Sequence, residues 1–244
     1  MEALRRAKMF VMHNRGVLDA TEVTGWFLGG YVDTILEVLG IFIAGLAGGL
    51  AGVRKNFDVF GVIVIAWAAS LGGGLLRDVM IGAIPPVGIS SPLYIATAIV
   101  SGIAIFLFHP NVERMRRSIV ILDAWALSIF VLLGAYKGLS YDVGILASVV
   151  SGLLTGVGGG VLRDILVDEV PLLLVDRQYY ALPALAGSVM TVVLWVHGWL
   201  NVWTQLGVIA LIAGFRLLAL RMKWVIPQAN PARRSQPWGQ RRAN

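Results

Sequence analysis

Gly158-Gly159-Gly160-Val161-Leu162-Arg163-Asp164 lies inside an apolar run of membrane-spanning length, and Gly72-Gly73-Gly74-Leu75-Leu76-Arg77-Asp78 repeats it 86 residues earlier. Each glycine in a helix interior costs about 1 kcal/mol relative to alanine. Three in a row also remove the side chains that keep another backbone or an ion at a distance. An arginine and an aspartate follow within one turn, and charge at membrane depth is costly and usually functional. The same expensive device, used twice, predicts two broken helices facing one another across a pathway.

Composition agrees with a membrane setting. Of 244 residues, 57% are hydrophobic and only 14% charged, and the mean hydropathy is +0.78. That is the profile of a polytopic membrane protein, with room for six to eight spans of ~20 residues. Cysteine is absent, which excludes disulfides, thiolate metal sites and a cysteine nucleophile. His13, His109 and His197 are scattered, so no metal centre is expected. The net charge of +6 reads as topology and lipid contact, and no nucleic-acid partner is expected.

Residues 1–31 form a basic lead-in too short in its apolar core for a signal peptide. Seven apolar segments follow, at about 32–53, 58–83, 92–109, 119–139, 143–168, 180–198 and 203–224. The second and fifth are long for a span, and each holds a glycine triplet, so each is expected as two half-helices. The chain beyond 227 is rich in Pro, Gln and Arg and reads as a disordered basic tail. The expected fold is therefore all-α, a single transmembrane domain over 32–226.

An internal repeat organises it. At the 86-residue offset Leu36-Glu37 meets Leu122-Asp123, Gly48 meets Gly134, Gly52 meets Gly138, Pro85 meets Pro171 and Tyr94 meets Tyr180, without a gap. Repeat one (32–110) and repeat two (118–198) hold three spans each. An odd number inverts the second copy in the membrane, and the seventh helix, 203–224, stands outside. Arg54, Lys55, Arg114, Arg116, Arg117, Arg177 and the basic tail fall on one side. The positive-inside rule then places the C-terminus in the cytoplasm and the N-terminus outside.

Several residues are candidates for chemistry. Gly72, Gly73, Gly74, Gly158, Gly159 and Gly160 either open the backbone onto a cavity or allow close helix packing. Ser70 and Thr155, just before the triplets, offer hydroxyls to an ion. Arg77 is expected to meet Asp164 and Arg163 to meet Asp78, or each pair caps a broken helix end; the plainer reading is a structural ion-pair lock. Lys137, whose repeat counterpart is Ala51, either faces the pathway as a barrier or gate or snorkels to the interface. Glu37 and Asp123 either attract cations at the two mouths or favour a helix N-terminus. Arg216 either snorkels or holds a lipid headgroup. Gly45, Gly48, Gly49 and Gly52 carry overlapping GxxxG spacing, and Trp195, Trp199, Trp203 and Trp224 read as an interfacial belt. No enzyme constellation or dinucleotide motif is present.

Taken together, the twin GGGxLRD motifs, Leu122-Asp123, Gly134-Ala135-Tyr136-Lys137, Glu169-Val170-Pro171 and Arg216-Leu217-Leu218-Ala219 resemble the prokaryotic branch of the trimeric intracellular cation (TRIC) channels, over about residues 32 to 226. The resemblance implies seven spans as two inverted three-helix repeats plus one, a symmetric homotrimer in a bounding cell membrane, and a monovalent-cation pore, mainly for potassium, within each subunit. It implies that the two glycine triplets shape the pore and that Lys137 lies along it. It implies no cofactor beyond the permeant ion and lipid. Two departures stand out: Leu36-Glu37 in place of Leu-Asp, and Gly82-Ala83-Ile84-Pro85 against Asp168-Glu169-Val170-Pro171, with less acidity in the first loop. Some relatives in this group are linked to glycine uptake, so a secondary transporter of a small zwitterion is the alternative function. A lipid-binding or structural scaffold is the third.

Overall fold

The computed structural model describes residues 20–109, 112–175 and 181–222, apart from the side chains at 20–30, 112–114, 116 and 175. Among the described residues every regular element is an α-helix: α1 (Ala20–Arg54), α2 (Val59–Met80), α3 (Val87–Ser90), α4 (Pro92–Leu107), α5 (Val112–Ser140), α6 (Ile145–Leu166), α7 (Leu172–Val175), α8 (Ala181–Val196) and α9 (Val202–Met222). α2, α6, α9 and the 31–54 and 117–140 parts of α1 and α5 are long and apolar enough to cross a membrane. α4 and α8 are apolar helices of 16 residues, roughly 24 Å long at 1.5 Å per residue. The chain is thus an all-α membrane protein. The lead-in expected over 1–31 is already helical from Ala20, and α5 starts at Val112, seven residues before the expected 119. Residues 1–19, Arg177, Tyr180, Trp224 and the basic tail lie outside the described residues.

Four helices form the centre. α1 packs on α2 and α5, and α6 packs on α5 and α2. α4 covers α1 and α2, α8 covers α5 and α6, and α9 lies against α5 and α8. Small residues make this possible. A methyl group on Gly45 would lie 1.9 Å from Ser101 Oγ, and one on Gly49 would lie 2.4 Å from the Ile105 side chain. The GxxxG stripe of α1 therefore packs within the subunit, against α2 and α4. The outer faces are apolar, with Phe60, Leu146 and Trp203 among the most exposed large side chains, as lipid-facing surfaces require.

The glycine triplets do something other than break their helices. α2 and α6 are helical throughout, so their carbonyls serve the helices and the expected half-helices are absent. The glycines instead let α2 and α6 cross backbone to backbone. A methyl on Gly73 would sit 2.4 Å from Thr155 O, and one on Gly159 would sit 2.0 Å from Ala69 O. The contacts are reciprocal at the 86-residue offset: Gly73 and Gly159 are mates, and so are Ala69 and Thr155. Gly48 against Ile65 O and Gly134 against Ser151 O follow the same rule.

The turns repeat as well. After α2 and α6, the Ile81 and Val167 amides donate to Arg77 O and Arg163 O, and the Ala83 and Glu169 amides to Asp78 O and Asp164 O. Gly82 (φ +74°) and Asp168 (φ +54°) occupy the same left-handed position. There glycine is free and aspartate is among the few residues tolerated. The acidity that separates these two loops in sequence is thus partly a turn requirement. The gapless register slips once. Pro86, and not Pro85, caps α3 as Pro171 precedes α7.

These contacts separate the glycines by tolerance. Gly159→Ala has no room and is expected to lower the unfolding temperature in detergent. Gly74 has only Arg77 Nη2 at 3.7 Å, so Gly74→Ala is expected to be neutral or stabilising by up to about 1 kcal/mol. Equal destabilisation by both would contradict the crossing geometry.

Candidate functional site

Each Arg-Asp pair closes on itself. Arg77 Nε donates to Asp78 Oδ1 at 2.8 Å and Arg163 Nε donates to Asp164 Oδ1 at 2.8 Å. The expected exchange between repeats, Arg77 with Asp164 and Arg163 with Asp78, does not occur. The 100° between adjacent helix positions is bridged by the length and planar fork of arginine, which curls around its own backbone. The second oxygen of each aspartate accepts from the first amide of the short helix beyond: Val87 N to Asp78 at 2.9 Å and Leu172 N to Asp164 at 2.8 Å. Each pair therefore ties the end of a long helix to the re-entering chain. All four residues are at most 5% exposed.

A third partner distinguishes the two ends of the molecule. At one end, Lys137 Nζ lies 2.9 Å from Asp78 Oδ1, with the Tyr141 ring 6.0 Å away. At the other, Arg163 Nη1 and Arg216 Nη2 both donate to Asp123, at 2.8 and 3.0 Å. Arg216 is 2% exposed and holds a carboxylate, so the expected lipid contact is corrected. Its side chain is turned into the subunit because a buried Asp123 demands charge. Asp123 is likewise buried and doubly paired, unlike a solvent-facing mouth residue. Glu37 accepts from the Tyr94 hydroxyl. Neither acid sits near its helix start, which removes the dipole explanation.

Two small cavities flank the crossing of α2 and α6. The first, about 30 Å³, is lined by Glu37, Ile41, Ser70, Leu71, Gly74, Arg77, Tyr94, Phe130 and Thr155, among others. The second, about 10 Å³, is lined by Ala44, Ala69, Asp123, Leu127, Phe130, Gly156, Gly159, Gly160 and Arg163, among others. Most of the second lining is the first shifted by 86 residues. The first volume suits a water or two and the second about one; neither admits a hydrated ion. Ser70 and Thr155 are not repeat mates, yet both reach the first cavity. Their hydroxyls donate to Trp67 O and Ser151 O, which leaves oxygen lone pairs as acceptors.

Phe130 lines both cavities, and it was invisible as a candidate from sequence. Its repeat mate is Ala44, and this large-for-small mismatch at one register was the only available signal. Gly40 makes room for the ring, since a methyl there would lie 2.8 Å from Phe130 Cε1. Ser70, Thr155, Gly74, Gly159, Gly160, Arg77, Arg163, Glu37 and Asp123 thus line the two cavities, while Gly72, Gly73 and Gly158 pack at the crossing of α2 and α6. Asp78, Asp164 and Arg216 pair with the lining residues Arg77, Arg163 and Asp123, and Lys137 pairs with Asp78.

This architecture defines a class, a polytopic helical membrane protein built around two glycine-crossed helices with buried ion pairs at each end. The chain belongs to the family described as Glycine transporter, whose model matches it twice, at residues 34–110 and 120–196. A UPF0126 membrane protein of Deinococcus radiodurans is 36% identical over 154 residues, covering 63% of this chain and 72% of that protein. The UPF0126 inner membrane protein YadS of Escherichia coli (strain K12) is 30% identical over 156 residues, covering 64% and 75%. Among solved structures, one described as "Structural basis for conductance through TRIC cation channels" superposes with a TM-score of 0.72 at 30% identity, covering 81% of this chain and 97% of that one. The TRIC trimeric intracellular cation channel orthologue from Rhodobacter sphaeroides gives 0.74 at 28% identity, covering 79% and 98%. The resemblance to prokaryotic TRIC channels read from the motifs is therefore present in the fold.

At the end of the first span, Arg54, the last residue of α1, and Lys55 just beyond it hold Glu169 after α6, with Lys55 Nζ at 3.3 Å. Burial opposes ionisation of Glu169, but the hydrogen bonds and charges of Arg54 and Lys55 prevail and hold its carboxyl below the usual range. A depressed carboxylate stabilises above its unfolded pKa, and that stability is lost as pH falls through the folded value. Unfolding temperature is expected to drop on acidification below about pH 4 by less in Glu169→Gln than in the wild type. Inside the spans, Asp123→Asn leaves Arg163 and Arg216 buried with one carboxylate fewer. It is expected to destabilise by about 3–5 kcal/mol in detergent unfolding, with part recovered when Arg216→Met is added.

Proposed function

We propose that the chain is a monovalent-cation channel, mainly for potassium, with a pore within each subunit of a homotrimer. The observation that carries this reading is the pair of repeat-related cavities on either side of the Gly73–Gly159 crossing, with Phe130 between them. In this reading they are two segments of one route through the protein interior, narrowest at Phe130. The superposition on TRIC channel structures supports it. The proposed architecture is one transmembrane domain over 32–226, with repeats 32–110 and 118–198 inverted in the membrane and a seventh span at 203–224. The reciprocal glycine contacts support the inversion, since paired contacts of this kind are the mark of a two-fold axis.

In this mechanism potassium sheds part of its water between α2 and α6. Hydroxyl oxygens of Ser70 and Thr155 replace some of it, and Glu37 attracts the ion into the first cavity. Phe130 is the constriction. Lys137 and Asp78, with Arg77, hold the neighbouring helix ends and set the barrier there; Arg163 and Asp164 do so at the far end with Asp123. We place the protein in the cell membrane with its C-terminus in the cytoplasm, because Arg54, Lys55, Arg117 and Arg221 fall on one side. A second reading, secondary transport of a small zwitterion such as glycine, is favoured by the description of the matching family and by cavities that are closed to a hydrated ion.

The deciding experiment is planar-bilayer recording of the purified protein under a potassium chloride gradient. Discrete openings that reverse near the potassium potential are expected. Saturable uptake of labelled glycine into liposomes without current would replace the channel by the transporter. Phe130→Ala, with trimer assembly checked by cross-linking, is expected to raise unitary conductance or open probability; an unchanged current would remove Phe130 from the route.

A further inference from the structure

At the end of the molecule that holds Lys137, three carboxylates gather: Asp33 and Glu37 on α1 and Asp78 on α2. They face two cations. Asp78 takes both, Arg77 at 2.8 Å and Lys137 at 2.9 Å. Glu37 accepts from Tyr94. Asp33 lies within electrostatic reach of Glu37, and its carboxyl is within hydrogen-bonding reach of the Gln205 amide. At the opposite end of the spans Asp123 and Asp164 are matched by Arg163 and Arg216. At the Lys137 end the three carboxylates Asp33, Glu37 and Asp78 outnumber the cations Arg77 and Lys137 by one.

An independent observation falls at the same place. Asp33 Oδ1 and Gln205 Oε1 are both buried and accept no hydrogen bond. Gln205 is 6% exposed. Its amide is within hydrogen-bonding reach of the Asp33 carboxyl, while its own carbonyl oxygen has no donor. Two unsatisfied buried acceptors, one of them on a carboxyl group, are unfavourable as they stand, and a positive ligand would satisfy both. The Tyr136 phenol is within the field of Asp33 as well. Asp33 is only half-buried, so a small ion can reach it.

We propose that Asp33 and Gln205 form a binding site for one monovalent alkali cation between α1 and α9. One carboxylate with a neutral amide oxygen suits a single hard charge. A divalent ion wants more oxygens and more carboxylates, and among the described residues no group of three or more His, Cys, Asp or Glu could hold a metal. The site occurs once per chain. The repeat mate of Asp33 is Ile119, a core residue 5% exposed, and Gln205 lies outside both matched stretches. Neither residue lines the cavities at the glycine crossing. The bound ion therefore pins α9 to α1 and neutralises that end, whether or not ions permeate.

The test needs no flux. Thermal unfolding of the purified full-length protein in detergent is followed while potassium or sodium chloride replaces N-methyl-D-glucamine chloride at constant ionic strength and pH. A saturable rise in unfolding temperature with alkali cation is expected. Asp33→Asn should abolish it, and Gln205→Leu should raise the half-saturating concentration by about tenfold, the loss of one neutral oxygen ligand. If Asp33→Asn does not fold, Gln205→Leu decides. A rise that both variants retain places the ion elsewhere and overturns the site. Dependence on pH without dependence on cation assigns the charge to a proton, and dependence on neither assigns the gap to water; both overturn the proposal. A bilayer experiment without current would leave this result untouched, so the two readings fail separately.

Discussion

Two backbones meet where α2 crosses α6, and the rest of the molecule is arranged to allow it. With Gly73 against the Thr155 carbonyl and Gly159 against the Ala69 carbonyl, there is no side chain between the helices to fill space or repel. Close approach brings dispersion and dipole contacts that larger residues forbid. It also draws the neighbouring walls inward, so that small cavities remain on both sides and no open tube does. The flanking small residues serve the same end. Gly45, Gly48 and Gly49 on α1, and Gly134 and Gly138 on α5, let the outer pair of central helices follow the inner pair.

The charges secure the ends of these helices. A buried arginine beside a buried aspartate satisfies the helix end and the first amide of the returning chain at once. In hydrocarbon surroundings an unsatisfied group of either kind is severely unfavourable. The same unit at both ends, with one basic partner added at the first and a carboxylate-arginine pair at the second, shows how a duplicated framework was specialised. Lys137 replaces an alanine position and Arg216 comes from the helix outside the repeat. Phe130 against Ala44 is the third asymmetry, and it borders both cavities. Where the copies agree, the residues build the scaffold; where they differ, the two ends of the protein become chemically distinct.

The sequence by itself determined much of this. Hydropathy required helices in a membrane, the 86-residue offset located the equivalent helices and turns, and charge at membrane depth singled out Arg77, Asp78, Arg163, Asp164, Asp123 and Lys137. These follow from local rules: periodicity, composition and the cost of burying charge. What the tertiary structure decided was the partnership of those groups. Sequence spacing suggested pairing across the repeat, but the reach of arginine and the demand of the returning amide closed each pair locally. The glycines were legible as special, yet whether they unwind a helix or admit a neighbour depends on what stands opposite, and that is a carbonyl contributed from more than 80 residues away. Arg216 looked lipid-facing because nothing nearby in sequence explains it; Asp123 does, from another helix. Phe130 carries only its mismatch with Ala44, and nothing local pairs Asp33 with Gln205. Their roles arise only from the space and the unfilled hydrogen-bonding capacity that packing leaves around them, and packing is a property of the folded chain.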